Sequence, residues 1–236
     1  MDSARGVVSA GGEVERRVMR RYSILFPMTF LHKCVLVAGA AAFAAAIGVA
    51  AEAGFSARGP LVFKDDFSAP TLDKGWVGNL GTWEVANGAV KISELAANKH
   101  AAVRRHSMQY HDAIFEFSFQ FNGAKMIGLS LNNQGGHVCR ASITPKGMIL
   151  QTDQPNKTSD IKTAKLATLD TPVDTGKWHK VVVEVHGRRM TGQLDGGKII
   201  SGESPRVDVG KADFGFAIAG VSASLKDVRV YEVRAQ

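Results

Sequence analysis

The chain has 236 residues, of which 45% are hydrophobic and 22% charged, enough for one good core. Its net charge is +7, but the part from residue 54 onward carries 23 Lys/Arg against 18 Asp/Glu, or +5, spread along the chain with no basic run interleaved with aromatics. That excludes the pattern of a single-strand nucleic-acid binder and leaves a mild attraction to anionic surfaces or polysaccharides. With only Cys34 and Cys139 available, neither a disulfide framework nor a Cys/His zinc spacing can be built, and no metal or cofactor is expected.

Residues 1–53 have the order of a targeting segment. Arg16, Arg17, Arg20, Arg21 and Lys33 precede an uncharged, Ala-rich run over residues 34–51, and Ala51-Glu52-Ala53 supplies a small-x-small cleavage pattern. The segment is expected to be a secretory signal, with Met19 or Met28 as alternative starts. An uncleaved membrane anchor is the competing reading, because 18 apolar residues can just span a bilayer. Cys34 stands at the start of the apolar run and not after it, which argues against a lipoprotein. The expected location is therefore exported, periplasmic or extracellular, with the membrane touched only through this segment if it stays attached.

Residues 54–236 then form one domain. Leu61-Val62-Phe63 opens it as a short strand ending in Asp65-Asp66, two carboxylates that offer part of a calcium shell or a solvated strand end. Trp83-Glu84-Val85, Asn87-Gly88 and Val90-Lys91-Ile92 form a hairpin, since Asn-Gly favours the primed turns that match strand twist. Trp83 reads as a core residue, and Trp76 as either core or sugar-stacking. His100, His106 and His111 fall in a poorly periodic stretch and read as exposed loop residues.

The strongest local pattern covers residues 113–143. Phe115, Phe117, Phe119 and Phe121 alternate with Glu116, Ser118 and Gln120; Ile127, Leu129 and Leu131 alternate with Gly128, Ser130 and Asn132. Cys139, Ala141 and Ile143 alternate with Arg140 and Ser142, and Met148 and Leu150 with Gln151 and Asp153. Cys139 lies on the apolar side as a small buried hydrophobe. If these strands are neighbours, their non-core residues make one polar face. Residues 155–168 are polar and lysine-rich, a long loop or a loop with a short strand. Residues 178–186 and 189–195 pair as a second hairpin, Gly196-Gly197 turns the chain again, and Phe214, Phe216 and Ile218 alternate with Gly215, Ala217 and Ala219. Ten to twelve short strands without a convincing helix predict an all-β, two-sheet antiparallel jelly-roll sandwich, preceded by the signal or anchor helix.

Gly81-Thr82-Trp83-Glu84-Val85, Trp178-His179, Leu194-Asp195-Gly196 and Asp227-Val228-Arg229-Val230 resemble the concanavalin A-like, laminin-G-like jelly rolls. Among these the chain is most similar to the 3-keto-disaccharide hydrolase family, which is related to family 16 glycoside hydrolases. The resemblance implies a sandwich over residues 61–233 and an activity on glycosides. The Glu-x-Asp-x-x-Glu signature of family 16 is missing, and the matching positions are mainly fold-determining.

The functional candidates are the residues of the polar face: Glu116, Ser118, Gln120, Ser130, Asn132, Arg140, Gln151 and Asp153. Amides, carboxylates and arginine suit sugar hydroxyls, and Gly128 would leave room above the sheet for a ligand. Glu116 is also the first candidate acid or base for hydrolysis, with Glu184 as a second acid, although both can equally pair with Arg140, Lys180 or Arg189. A triad of Ser118, His137 and Asp153 can be written down with little specificity. The leading expectation is an exported carbohydrate-binding module. A glycoside hydrolase and a protein-binding adhesion domain are the alternatives.

Overall fold

The computed structural model describes residues 54–234, and within them fifteen strands form two antiparallel sheets. Sheet I contains β1 (Arg58–Asp65), β3 (Thr82–Ala86), β4 (Ala89–Ser93), β6 (Ala113–Phe121), β11 (Trp178–His186), β12 (Arg189–Leu194), β13 (Ile199–Glu203) and β15 (Ser222–Val233). Its order is β13-β12-β11-β6-β15-β4-β3, with β1 also paired to β15. Sheet II runs β10-β9-β8-β7-β14-β5-β2. These strands are β2 (Trp76–Leu80), β5 (Ala102–Tyr110), β7 (Ala124–Asn133), β8 (Gly136–Thr144), β9 (Gly147–Thr152), β10 (Ala164–Asp170) and β14 (Lys211–Gly220). The architecture is the expected jelly-roll sandwich. The signal or anchor expectation lies outside the described residues.

The phenylalanine row of β6 forms the centre of the core. Phe115, Phe117, Phe119 and Phe121 are all buried, and across the sandwich Phe117 meets Phe216 edge-on at 4.9 Å while Phe115 meets Phe214 at 5.4 Å. Each such ring contributes on the order of 2 kcal/mol by leaving water. Leu129 and Leu131 of β7 and Met148 and Leu150 of β9 complete the opposing layer. Cys139 is buried among them, and burial pushes its thiol up to about 12, so it acts as a small hydrophobe.

Four details differ from the sequence expectation. First, the consecutive strands β6 and β7, joined through Asn122-Gly123, are not neighbours: β6 pairs with β11 and β15, whereas β7 pairs with β8 and β14. The chain crosses there from one sheet to the other, so that two consecutive apolar rows face each other. Second, residues 102–110 form a strand, because Arg104 and His106 occupy core-side positions at the sandwich edge and hide the alternation. His106 lies 4.3 Å from Phe63 and stacks on Phe214 at 5.7 Å, inside the aromatic cluster. Third, Asp65 is structural, because its oxygens accept the Phe67 N–H and the Trp76 indole N–H at 2.8 Å each. Trp76 is buried and Trp83 stacks on it, so both are core residues. Fourth, fifteen short strands are present where ten to twelve were expected.

The closing strand carries a bulge at Asp227, whose φ is 54°. It switches the buried parity from Ala223 and Leu225 to Val228 and Val230. The same bulge divides the edge of β15 between β4 and β1, which pair with its first and second halves.

Candidate functional site

The sheet assignment splits the predicted polar face in two. Glu116, Ser118 and Gln120 lie on the outer face of sheet I, while Ser130, Asn132, Arg140, Gln151 and Asp153 belong to sheet II, on the opposite side of the molecule. The triad of Ser118, His137 and Asp153 is therefore ruled out, since Ser118 is separated from the other two by the core.

On sheet I the carboxylates are occupied by cations. Arg58 of β1 and Lys180 of β11 both pair with Glu116, the latter at 3.1 Å. Burial raises the Glu116 carboxyl, but the hydrogen bonds from Lys180 and Arg58 outweigh it and hold the group below the usual glutamate range. That is the opposite of what a general acid needs. Glu184 lies on the neighbouring strand, buried under the segment before β1. It accepts the Ser56 backbone N–H at 2.6 Å and its hydroxyl at 3.2 Å, with Arg189 at 3.4 Å. Gln120 donates to the Gly176 carbonyl at 2.5 Å. These side chains fasten an arm and a loop to the sheet, and they have little left to offer a ligand.

Sheet II is different because its outward residues are small where its centre needs depth. The register aligns Gln151, Arg140, Ser130, Gly215, Arg105 and Val77 in one row across β9, β8, β7, β14, β5 and β2. The adjacent row places Ser142, Gly128, Ala217 and Val103 side by side. Ser130, Gly215 and Ala217 thus form a low floor along β7 and β14. Arg140 and His137 stand on one side of it, and Arg105, Val103 and Val77 on the other. The result is a cleft of about 510 Å³, also lined by His100 and Ala101 just before β5. The space above Gly128 is not left for a ligand, contrary to expectation. The Arg140 Cδ and the Met126 sulfur fill it, each 3.2 Å from where a Cβ would stand. Gly215 similarly lies under the Arg105 side chain, whose Cγ would be 2.8 Å from an added Cβ. The glycines let the two arginine arms lie flat along the walls.

The polar groups of the cleft are held from behind. Arg140 pairs with Asp153 at 2.9 Å, and the other oxygen of Asp153 accepts the Gln151 amide at 2.6 Å. Arg105 approaches Asp213 at 3.9 Å. Asn132, fully buried, donates to Asp213 at 2.6 Å and faces the His137 Nδ1 with its oxygen at 2.6 Å. Because that amide oxygen can only accept, Nδ1 carries the proton and Nε2 is left as an acceptor. Burial lowers the His137 pKa, and Arg105 and Arg140 lower it further, so the imidazole is neutral at neutral pH. The Ser130 hydroxyl on the floor is buried and unpartnered.

The sequence signal for this floor was the Gly215, Ala217, Ala219 side of β14, three consecutive minimal outward residues. Arg105 and Asp213 carried no local signal, since their role depends on strands 80 to 110 residues away in sequence.

No protein-family profile matches the chain, and no curated protein matches it by sequence. Among solved structures, a protein of unknown function with a galectin-like fold from Bacillus subtilis superposes with a TM-score of 0.59 at 11% identity, over 77% of this chain and 100% of that one. The carbohydrate-binding module CBM66 from Bacillus subtilis gives 0.56 at 16%, over 67% and 96%. SCLam, a non-specific endo-β-1,3(4)-glucanase from family GH16, gives 0.54 at 14%, over 77% and 97%. At such identities the likeness is one of fold, and the fold is concanavalin A-like. None of these likenesses singles out the 3-keto-disaccharide hydrolases.

Proposed function

We propose that this is an exported carbohydrate-binding protein whose ligand occupies the cleft on the outer face of sheet II. The observation that carries the reading is the cleft itself, a small-residue floor between a polar wall at Arg140 and His137 and an apolar wall at Val77, Leu80 and Val103. A sugar ring presents hydroxyls at its edge and C–H groups on its face, and so can meet both walls at once. The occurrence of a carbohydrate-binding module and a glucanase among the structures of like fold is consistent with this use. Binding is favoured over hydrolysis because no carboxylate lines the cleft among the described residues, whereas paired-carboxylate cleavage needs two acids across the bond.

The test is to fill the cleft without touching its ion pairs. Ala217→Trp projects an indole from the floor between Gly128 and Val103. On a glycan array followed by calorimetry, the wild-type protein should bind at least one glycan and the variant at least ten-fold more weakly, with an unchanged circular-dichroism spectrum. A wild-type protein that binds no glycan, or a variant that binds as well, would sink the reading.

A further inference from the structure

Resting on the carbohydrate reading of the sheet II cleft, we infer that its ligand is an acidic glycan, bearing carboxylate or sulfate groups that are received between Arg105 and Arg140. The ionisable residues lining the cleft are Arg105, Arg140, His100 and His137, with no Asp or Glu among them. The two acids that balance the arginines are set back from the ligand. Asp153 has only 5% of its side chain exposed and Asp213 18%, against 40% for Arg105 and 23% for Arg140. They steer the guanidinium groups from behind and leave donors on the open side, since a guanidinium has five N–H groups and its carboxylate partner uses few of them.

The arms are also ordered before a ligand arrives. Gly128 and Gly215 seat their methylenes, and Asp153 and Asp213 restrain their heads, so less side-chain entropy is lost on binding. Arg140, Ser130, Gly215 and Arg105 are successive positions of one row, which places the arginine Cα atoms three strand spacings apart, about 14 Å. The side chains reach inward from both ends, Arg140 over Gly128 and Arg105 over Gly215, and in the row between them stands Ser130, whose buried hydroxyl has no partner in the protein. An anionic group seated there gains charge-assisted hydrogen bonds from both sides. The apolar wall at Val77 and Val103 favours a ring-bearing anion over a free inorganic ion.

The experiment compares oligogalacturonate, its carboxyl-reduced neutral counterpart and a sulfated oligosaccharide by calorimetry against the full-length protein, with duplex DNA as an unrelated polyanion. At least one acidic glycan should bind ten-fold or more tightly than the neutral one, and the stronger of the two acids identifies the anion. Arg105→Gln should remove most of that preference and Arg105→Lys retain much of it. Equal binding of acidic and neutral glycans, abolished by Ala217→Trp, would overturn the anion inference while the cleft reading stands. Absence of binding to either kind would overturn both. Acidic binding that survives Ala217→Trp, or that duplex DNA matches, would show adsorption outside the cleft and overturn the inference.

Discussion

The two outer faces of the sandwich are built from the same kinds of residue and use them in opposite ways. On sheet I, Glu116 and Glu184 are acids surrounded by cations and N–H donors that belong to the protein, and their effect is to tie the chain before β1 and β1 itself to the sheet. On sheet II the acids Asp153 and Asp213 stand behind the arginines, which therefore face outward into a cleft. On both faces the acid is the more buried partner of each ion pair, so what separates a fastened face from an open one is what lies beyond the pair: on sheet I the segment around β1, held by the same acids, and on sheet II a cleft lined by the arginines. The small floor of sheet II adds the depth that sheet I lacks.

The contrast can be broken most strongly at Glu184. Glu184→Ala leaves the Ser56 N–H and Arg189 without their buried acceptor and should cost about 3 kcal/mol of unfolding free energy in urea. Glycan binding at sheet II should be unaffected. A loss under about 1 kcal/mol, or a parallel loss of binding, would contradict the division of labour between the faces.

A smaller effect is expected at Glu116. Glu116→Gln should cost about 1 kcal/mol at pH 7, since one acid is exchanged for a neutral acceptor beside Lys180 and partly exposed Arg58. The wild-type carboxyl has a folded pKa below its unfolded value, so its contribution is present above the unfolded pKa of about 4.3 and is lost as pH falls through the folded pKa. Denaturation curves taken from pH 7 downward should therefore converge for the two proteins in acid. Curves that stay parallel would deny the carboxylate this role.

The smallest and sharpest test is the titration of two histidines by NMR. His137 should titrate below the ordinary value, because of its burial and then Arg105 and Arg140. At the end of β11, burial lowers His179, but the hydrogen bonds from its ring to Asp195 and the Asp174 carbonyl outweigh that and raise it. The signs for stability are opposite. His137, favoured neutral in the fold, lets stability fall as pH drops below the unfolded value of about 6.5. His179 contributes stability below that value and loses it as pH rises through its folded pKa. Identical midpoints for the two rings would remove the electrostatic distinction.

How much of this was legible in the chain differs between fold and site. The Phe115 to Phe121 alternation, the Asn87-Gly88 turn, the hairpin that begins at Trp178 and the Val228-Val230 pair are local patterns, and each was realised as a strand or turn. The site was legible only in part. Ser130, Asn132, Arg140, Gln151 and Asp153 do share one face, yet Gln151 and Asp153 serve Arg140 and do not line the cleft. Glu116, Ser118 and Gln120 were grouped with them because β6 and β7 are consecutive. Arg105 was hidden inside a strand whose core side carries Arg104 and His106.

By itself, then, the sequence determined which residues of each strand look inward and which outward, because side-chain direction alternates residue by residue along any extended chain. It also determined that the inward rows were apolar enough to demand a second layer. Only the tertiary structure decided which strands became neighbours. That choice is made by backbone pairing between segments far apart in the chain, and it is settled by the packing of whole rows against each other. Through it the outward residues were divided between two sheets, one of them tied down by β1 and the other opening into a cleft floored by small residues such as Ser130 and Ala217.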